Sequence, residues 1–199
     1  MIQVMPTPSG APPLPGANGH LTDVLDADCL YEIINGKRVE KNMSLYANLL
    51  ASVLGGYLQR YAFETNAGRP FVETMFDLPG VGKVRRPDNA FVTASSWPLD
   101  RPIPRGDVWP VAPDLAVEII SPTNHWEEAM AKVREYFTAK VKLVWVILPR
   151  GRLIYVHTSL KNVTLLDESN ELTGGDVLPG FHLAIAELFA RTGTEEAAS

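Results

Sequence analysis

Cysteine is almost missing. Cys29 is the one cysteine in 199 residues, which excludes an internal disulfide and any cysteine-based zinc site made by this chain alone. No apolar run approaches the ~20 residues of a membrane span, so a soluble, cytoplasmic protein without a membrane partner is expected. A basic start followed by an apolar stretch is also lacking. Residues 1–24, with Pro6, Pro8, Pro12, Pro13 and Pro15, are therefore expected to form a disordered leader and not a signal peptide. There is no basic excess either: 18 Lys and Arg against 23 Asp and Glu leave a net charge of −5. That weighs against coating nucleic acid non-specifically, which rests on phosphate neutralisation, but not against local contact. His20, His125, His157 and His182 show no ligand spacing, and no Gly-x-Ser-x-Gly elbow supports a serine hydrolase. Gly80-Val81-Gly82-Lys83 lacks the preceding glycine and following Ser or Thr of a nucleotide loop, so it reads as a turn.

What is present suits one real core. With 46% hydrophobic residues, seven Phe, six Tyr and four Trp, a single domain over residues 25–190 is expected, followed by a flexible tail over 191–199. Asn35-Gly36 between two β-branched runs predicts a tight hairpin over residues 31–41. Ser44 then caps a helix running to about residue 63. Residues 71–78 read as a strand, 79–82 as a turn and 84–92 as its hairpin partner. Residues 95–111 hold four prolines with Trp97 and Trp109, a long loop expected to pack through its indoles. The run 115–120 reads as a strand buried on both faces. A helix follows over 126–139, with Trp126, Ala129, Met130, Val133 and Phe137 in one stripe and Lys132 and Tyr136 on its flank. Strands are then expected over 142–148, 153–158 and at the edge over 163–166, a turn-rich closing segment over 174–181, and a short helix over 185–190. Strand, helix, strand from 114 to 148 is a βαβ unit, which requires a parallel pair.

Two of these strands carry a carboxylate inside an otherwise apolar run: Asp88 in Arg86-Pro87-Asp88-Asn89-Ala90-Phe91-Val92 and Glu118 in Leu115-Ala116-Val117-Glu118-Ile119-Ile120. A buried charge without a partner costs several kcal/mol or neutralises, so both ask for a cation or a hydrogen-bond network. On neighbouring strands the two acids can point to one place and share a hard divalent cation such as magnesium. A metal held so polarises a phosphoryl oxygen and lowers the pKa of its water, which is what phosphodiester hydrolysis needs. Taken singly, each acid has a plainer reading: Asp88 capping the turn-facing end of its strand or pairing with Arg86, Glu118 pairing with Lys132, and Asp114 capping a loop. Lys83, Arg85, Arg86, Arg101 and Arg105 crowd near the first acid, which fits a solvated hairpin end as well as a phosphate-steering patch.

Pro87-Asp88 followed after a loop by Glu118-Ile119-Ile120 resembles the signature of the PD-(D/E)XK nuclease superfamily. Tyr31-Glu32-Ile33-Ile34-Asn35-Gly36, residues 86–92, residues 112–122, Lys132-Val133-Arg134-Glu135-Tyr136-Phe137, Val144-Trp145-Val146 and Val177-Leu178-Pro179-Gly180-Phe181 are similar to the Uma-two family of restriction endonucleases within it. The resemblance implies an α/β fold with a restriction-endonuclease-like core: a mixed central sheet flanked by helices, with an N-terminal β-hairpin. It implies a metal-dependent endonuclease acting on DNA, with Mg2+ as cofactor and Mn2+ as substitute. Asp88 and Glu118 would be metal ligands, the backbone carbonyl of Ile119 a third, and Glu40 and Glu73 further candidates that read equally well as surface acids. Ile120 stands where the superfamily signature has lysine, and Lys132 on the next helix is the candidate to supply that cation. Two-fold symmetry suits cutting both strands of a duplex, so a homodimer is expected by that analogy. The alternative is a non-catalytic binding or scaffold domain that keeps the nuclease fold.

Overall fold

Asn35 and Gly36 both adopt positive φ, 51° and 73°, and so turn β1 (Tyr31–Ile34) onto β2 (Lys37–Glu40) as the expected hairpin. The structure, a computed structural model, describes residues 30–41, 43–120 and 126–193. The leader, Cys29, His20, His125 and the segment expected to end the 115–120 strand lie outside the described residues. So does most of the tail.

Helix α1 (Leu45–Thr65) starts where the Ser44 hydroxyl accepts a hydrogen bond from the Ala47 amide at 3.1 Å, and stops at Asn66 in the left-handed conformation. The strand expected over 71–78 is two strands, β3 (Gly68–Val72) and β4 (Met75–Leu78), parted by Glu73 at φ 48°. Its partner is likewise split into β5 (Lys83–Arg85) and β6 (Asn89–Thr93). Both breaks have one cause. β3 and β6 pair in a large sheet while β4 and β5 pair in a small one, so the chain changes sheets twice at the same level, where the Glu73 amide donates to the Asp88 carbonyl at 3.3 Å. The 95–111 loop contributes β7 (Val108–Trp109) beside β4 and packs Trp97 on Trp109 at 5.1 Å between ring centroids.

β8 (Leu115–Ile119), α2 (Trp126–Thr138) and β9 (Leu143–Leu148) form the expected βαβ unit, with β8 and β9 parallel. β10 (Leu153–His157) and β11 (Val163–Leu166) extend the sheet antiparallel. The closing segment, expected as turns, is instead a hairpin of β12 (Glu171–Gly174) and β13 (Leu178–Ala184) leading into α3 (Ile185–Ala190). The large sheet runs β11-β10-β9-β8-β6-β3, and the small one β2-β1-β5-β4-β7. Strand alternation divides two cores between them. Leu115, Val117 and Ile119 pack under α1, α3 and the closing hairpin, whereas Ala116, with Ala90, Val92 and Val144, faces α2 and the small sheet.

β3 is seated closely on β6. A Cβ at Gly68 would lie under 3.0 Å from the Val92 carbonyl oxygen, the Phe91 ring and the Thr93 Cα, two of the three being backbone. Gly68→Ala is therefore expected to destabilise by about 1–3 kcal/mol or more, read as a lowered urea midpoint at unchanged slope. A midpoint equal to wild type would mean that the two strands separate there at little cost.

Candidate active site

Asp88 and Glu118 reach one place through the register of β6 on β8. Asn89 pairs with Val117, and continuing the ladder sets Asp88 across from Glu118, both on the face toward α2. Asp88 is tied into β8 twice: its amide donates to the Val117 carbonyl at 2.9 Å, and its Oδ2 accepts a short hydrogen bond from the Ile119 amide. The acids are 2% and 5% exposed.

Each meets an ammonium group. Lys132 of α2 donates to Glu118 Oε2 at 3.1 Å and stands 3.0 Å from Glu32 Oε1, while the Tyr136 hydroxyl, one turn on, donates to Glu118 Oε1 at 2.5 Å. Lys41, just past β2, donates to Asp88 Oδ1 at 2.6 Å, to the Arg86 carbonyl at 2.7 Å and to both oxygens of Glu73 at 2.9 and 3.0 Å. Arg85 bridges Glu32 and Glu135 at 2.6 Å each, and Lys83 reaches Glu135 at 2.5 Å. The result is a buried alternation of charges drawn from the small sheet, the large sheet and α2.

Burial and these neighbours set the protonation equilibria. Burial, reinforced by Asp88 and Glu32, pushes the Glu118 carboxyl above its ordinary value against the pull of Lys132 and Lys41. Glu73 is pushed up to about 7 by burial and then by Asp88, with Lys41 opposing. Burial alone would depress the Lys132 ammonium, but Glu118 and then Glu32 hold it above the usual lysine value. Lys41 behaves alike, with Asp88, Glu118 and Glu73 outweighing burial. Glu32 lies below the usual carboxylate range because Lys132 and Arg85 outweigh its desolvation. Burial and the Glu118 charge raise Tyr136 well above its ordinary value, so it is a hydrogen-bond donor throughout the physiological range.

Of the expected site residues, Asp88, Glu118, Lys132 and Glu73 come together, Lys132 more deeply buried than its flank position implied. Ile119 takes part through its amide. Glu40 does not join them: it is exposed on β2, and the next residue, Lys41, is the one that enters. Arg86 does not pair with Asp88. Its carbonyl accepts from Lys41 while its guanidinium donates to the Tyr31 carbonyl at 3.2 Å. Asp114 caps the 95–111 loop as read, accepting from the Thr93 amide at 2.8 Å and the Ser96 hydroxyl at 2.7 Å, with Lys142 at 2.7 Å. Lys41, Glu32, Arg85, Glu135 and Tyr136 were not foreseen as site residues. Glu32 had a signal, an acid inside an Ile-rich strand, and so had Tyr136, one turn from Lys132. Lys41 had none, following four exposed residues.

The donors fit a hard divalent cation in kind, since carboxylate and carbonyl oxygens converge here without nitrogen or sulfur ligands. Among the described residues, no three Asp, Glu, His or Cys side chains are drawn up around one point. The acids are instead spaced by ammonium nitrogens, which mark where positive charge stands among these oxygens.

A mixed sheet crossed by one parallel βαβ unit, with two acids abreast at its centre and an N-terminal hairpin, has the architecture of a nuclease-type α/β fold. A crystal structure from Anabaena variabilis, described as "a putative nuclease belonging to DUF820", superimposes with a TM-score of 0.70 at 19% identity, covering 81% of this chain and 90% of that one. The chain belongs to the Uma2 family, whose description reads "Putative restriction endonuclease"; the match spans residues 20–186. No curated protein matches it. Among the described residues, no helix is long and apolar enough to cross a membrane.

Proposed function

We propose that this protein is a metal-dependent endonuclease that hydrolyses DNA phosphodiester bonds by a PD-(D/E)XK-type mechanism. One observation carries the reading: Asp88 and Glu118 lie side by side, buried on one face of adjacent strands, with the Lys132 ammonium against Glu118. Asp88, Glu118 and the Ile119 carbonyl would hold Mg2+, or Mn2+ in its place, with Glu73 near enough to join through its shared partner Lys41. The metal, when bound, polarises a phosphoryl oxygen and supplies hydroxide near neutral pH. Lys132 brings from α2 the positive charge that Ile120 leaves out of the strand, and it offsets charge developing on the phosphate. Tyr136 fixes Glu118 Oε1 and keeps Oε2 turned to the lysine. Glu32 holds the other side of that lysine, so a basic group on a long flexible stem is given one position.

A second reading, a scaffold domain that keeps the fold without the chemistry, is favoured by the same network, since Asp88 and Glu118 each already have an internal cation. One experiment separates them. Purified protein with Mg2+ or Mn2+ is expected to nick supercoiled plasmid, with chelator and Asp88→Asn each removing the activity. A scaffold gives no nicking with either metal, and nicking retained by Asp88→Asn would place the chemistry elsewhere.

A further inference from the structure

The Lys41 nitrogen has four oxygen neighbours within 2.6–3.0 Å: both oxygens of Glu73, Asp88 Oδ1 and the Arg86 carbonyl. This is the environment of a bound cation more than that of an ordinary salt bridge, because two carboxylates and a carbonyl from separate segments converge on one point. Glu73 adopts φ 48°, a left-handed conformation uncommon in a non-glycine residue that persists only where its surroundings enforce it. The sheet crossing at Glu73 and at 86–88 brings all three acceptors into the cradle.

We infer that Lys41 is the resident occupant of a cation cradle formed by Glu73, Asp88 and the Arg86 carbonyl, and that a divalent cation bound at Asp88 displaces it. Charge supports the exchange. With every group ionised, five carboxylates (Glu32, Glu73, Asp88, Glu118 and Glu135) face four cations (Lys41, Lys83, Arg85 and Lys132). Withdrawing Lys41 leaves an excess of two negative charges, which a divalent ion balances and a monovalent one does not. The fold allows the withdrawal. Lys41 follows β2, the outermost strand of the small sheet, whose four residues are all exposed, and its own backbone tie is the hydrogen bond from its amide to the Leu30 carbonyl at 2.8 Å. Among the described residues, moving it out disturbs the outermost strand of the small sheet and no member of either core. The ammonium group so released remains on a long stem beside the metal, placed to meet a phosphate oxygen. Asp88 is therefore kept paired and protected when no metal is present.

The inference rests on the metal-dependent reading above, and the test keeps the two apart. Calorimetric titration of the full chain with Mn2+ is run on wild type and Lys41→Met, alongside amine labelling of wild-type Lys41 by an N-hydroxysuccinimide ester, read by mass spectrometry with and without Mn2+. Displacement predicts at least tenfold tighter Mn2+ binding in Lys41→Met, from which the competitor is gone, and labelling of Lys41 that rises severalfold when Mn2+ is added. Equal affinity in the two proteins with unchanged labelling overturns the inference while leaving metal binding intact. Absence of Mn2+ binding from both proteins removes the metal-dependent reading as well. Should Lys41→Met fail to fold, the wild-type labelling decides by itself: protection that persists at saturating Mn2+ overturns the exchange.

Discussion

Glu118→Ala is expected to lower plasmid nicking at least about a hundredfold and to reduce the unfolding free energy by about 3–5 kcal/mol. Both effects have one source. Removing this carboxylate leaves Lys132, 5% exposed, with Glu32 as its one remaining acid contact among the described residues, and strands the fully buried Tyr136 hydroxyl without its acceptor. Glu118→Gln divides the two effects. The amide oxygen can still accept from Tyr136, which restores that part of the stability, whereas the NH2 cannot accept from Lys132 and the charge that would hold a cation does not return. Nicking rates and urea unfolding on both variants make the comparison. A folded Glu118→Gln protein that nicks at the wild-type rate would remove this side chain from the chemistry altogether.

Arg85→Met should cost about 1.5–3 kcal/mol with no direct role in cleavage, because it removes the cation shared by Glu32 and Glu135 and leaves each with a single lysine, Lys132 and Lys83. Its pH dependence is also fixed in sign. Glu32 and Glu135 are held below the usual carboxylate range in the folded protein, Glu135 chiefly by Arg85 and Lys83 against its own burial. The stability these two acids add is thus fully present above their unfolded value of about 4.3 and is lost as pH falls through the lowered folded values. Glu73 runs the other way. Raised from the ordinary 4.5 to about 7, it withdraws stability as pH climbs across that interval. Urea unfolding of wild type and Arg85→Met at pH 7 and in the acid range tests this: the variant should show a shallower acid decline. An equally steep decline would assign it to other carboxylates.

Much of this was legible because local rules and tertiary packing agree. The Asn35-Gly36 hairpin, the Ser44 cap and the β8-α2-β9 unit all follow from turn, cap and periodicity chemistry that the packed fold keeps. Asp88 and Glu118 stood out because an acid in an apolar run has few explanations. The two sheet crossings were hidden. Residues 71–78 and 84–92 each read as one strand, since nothing in a β-rich run announces that its halves join different sheets; that is decided by what packs on each half. Glu73 offers no local hint of its left-handed backbone. The partners of the acids were obscured for a similar reason: Lys41 is distant from Asp88 in sequence, and Glu32 from Lys132, and they meet through sheet order. The closing hairpin was missed because Gly174, Gly175, Pro179 and Gly180 mask two short strands whose pairing contains a bulge.

The alternation of charges joining the two sheets to α2 has a bearing on how this protein can change. Each ion in it answers to at least one other, so most single replacements strand a neighbour, and effects at Glu32, Arg85, Lys132 and Glu118 should be far from additive. A lineage drifting through these positions would have to move in compensated steps, altering opposite charges together.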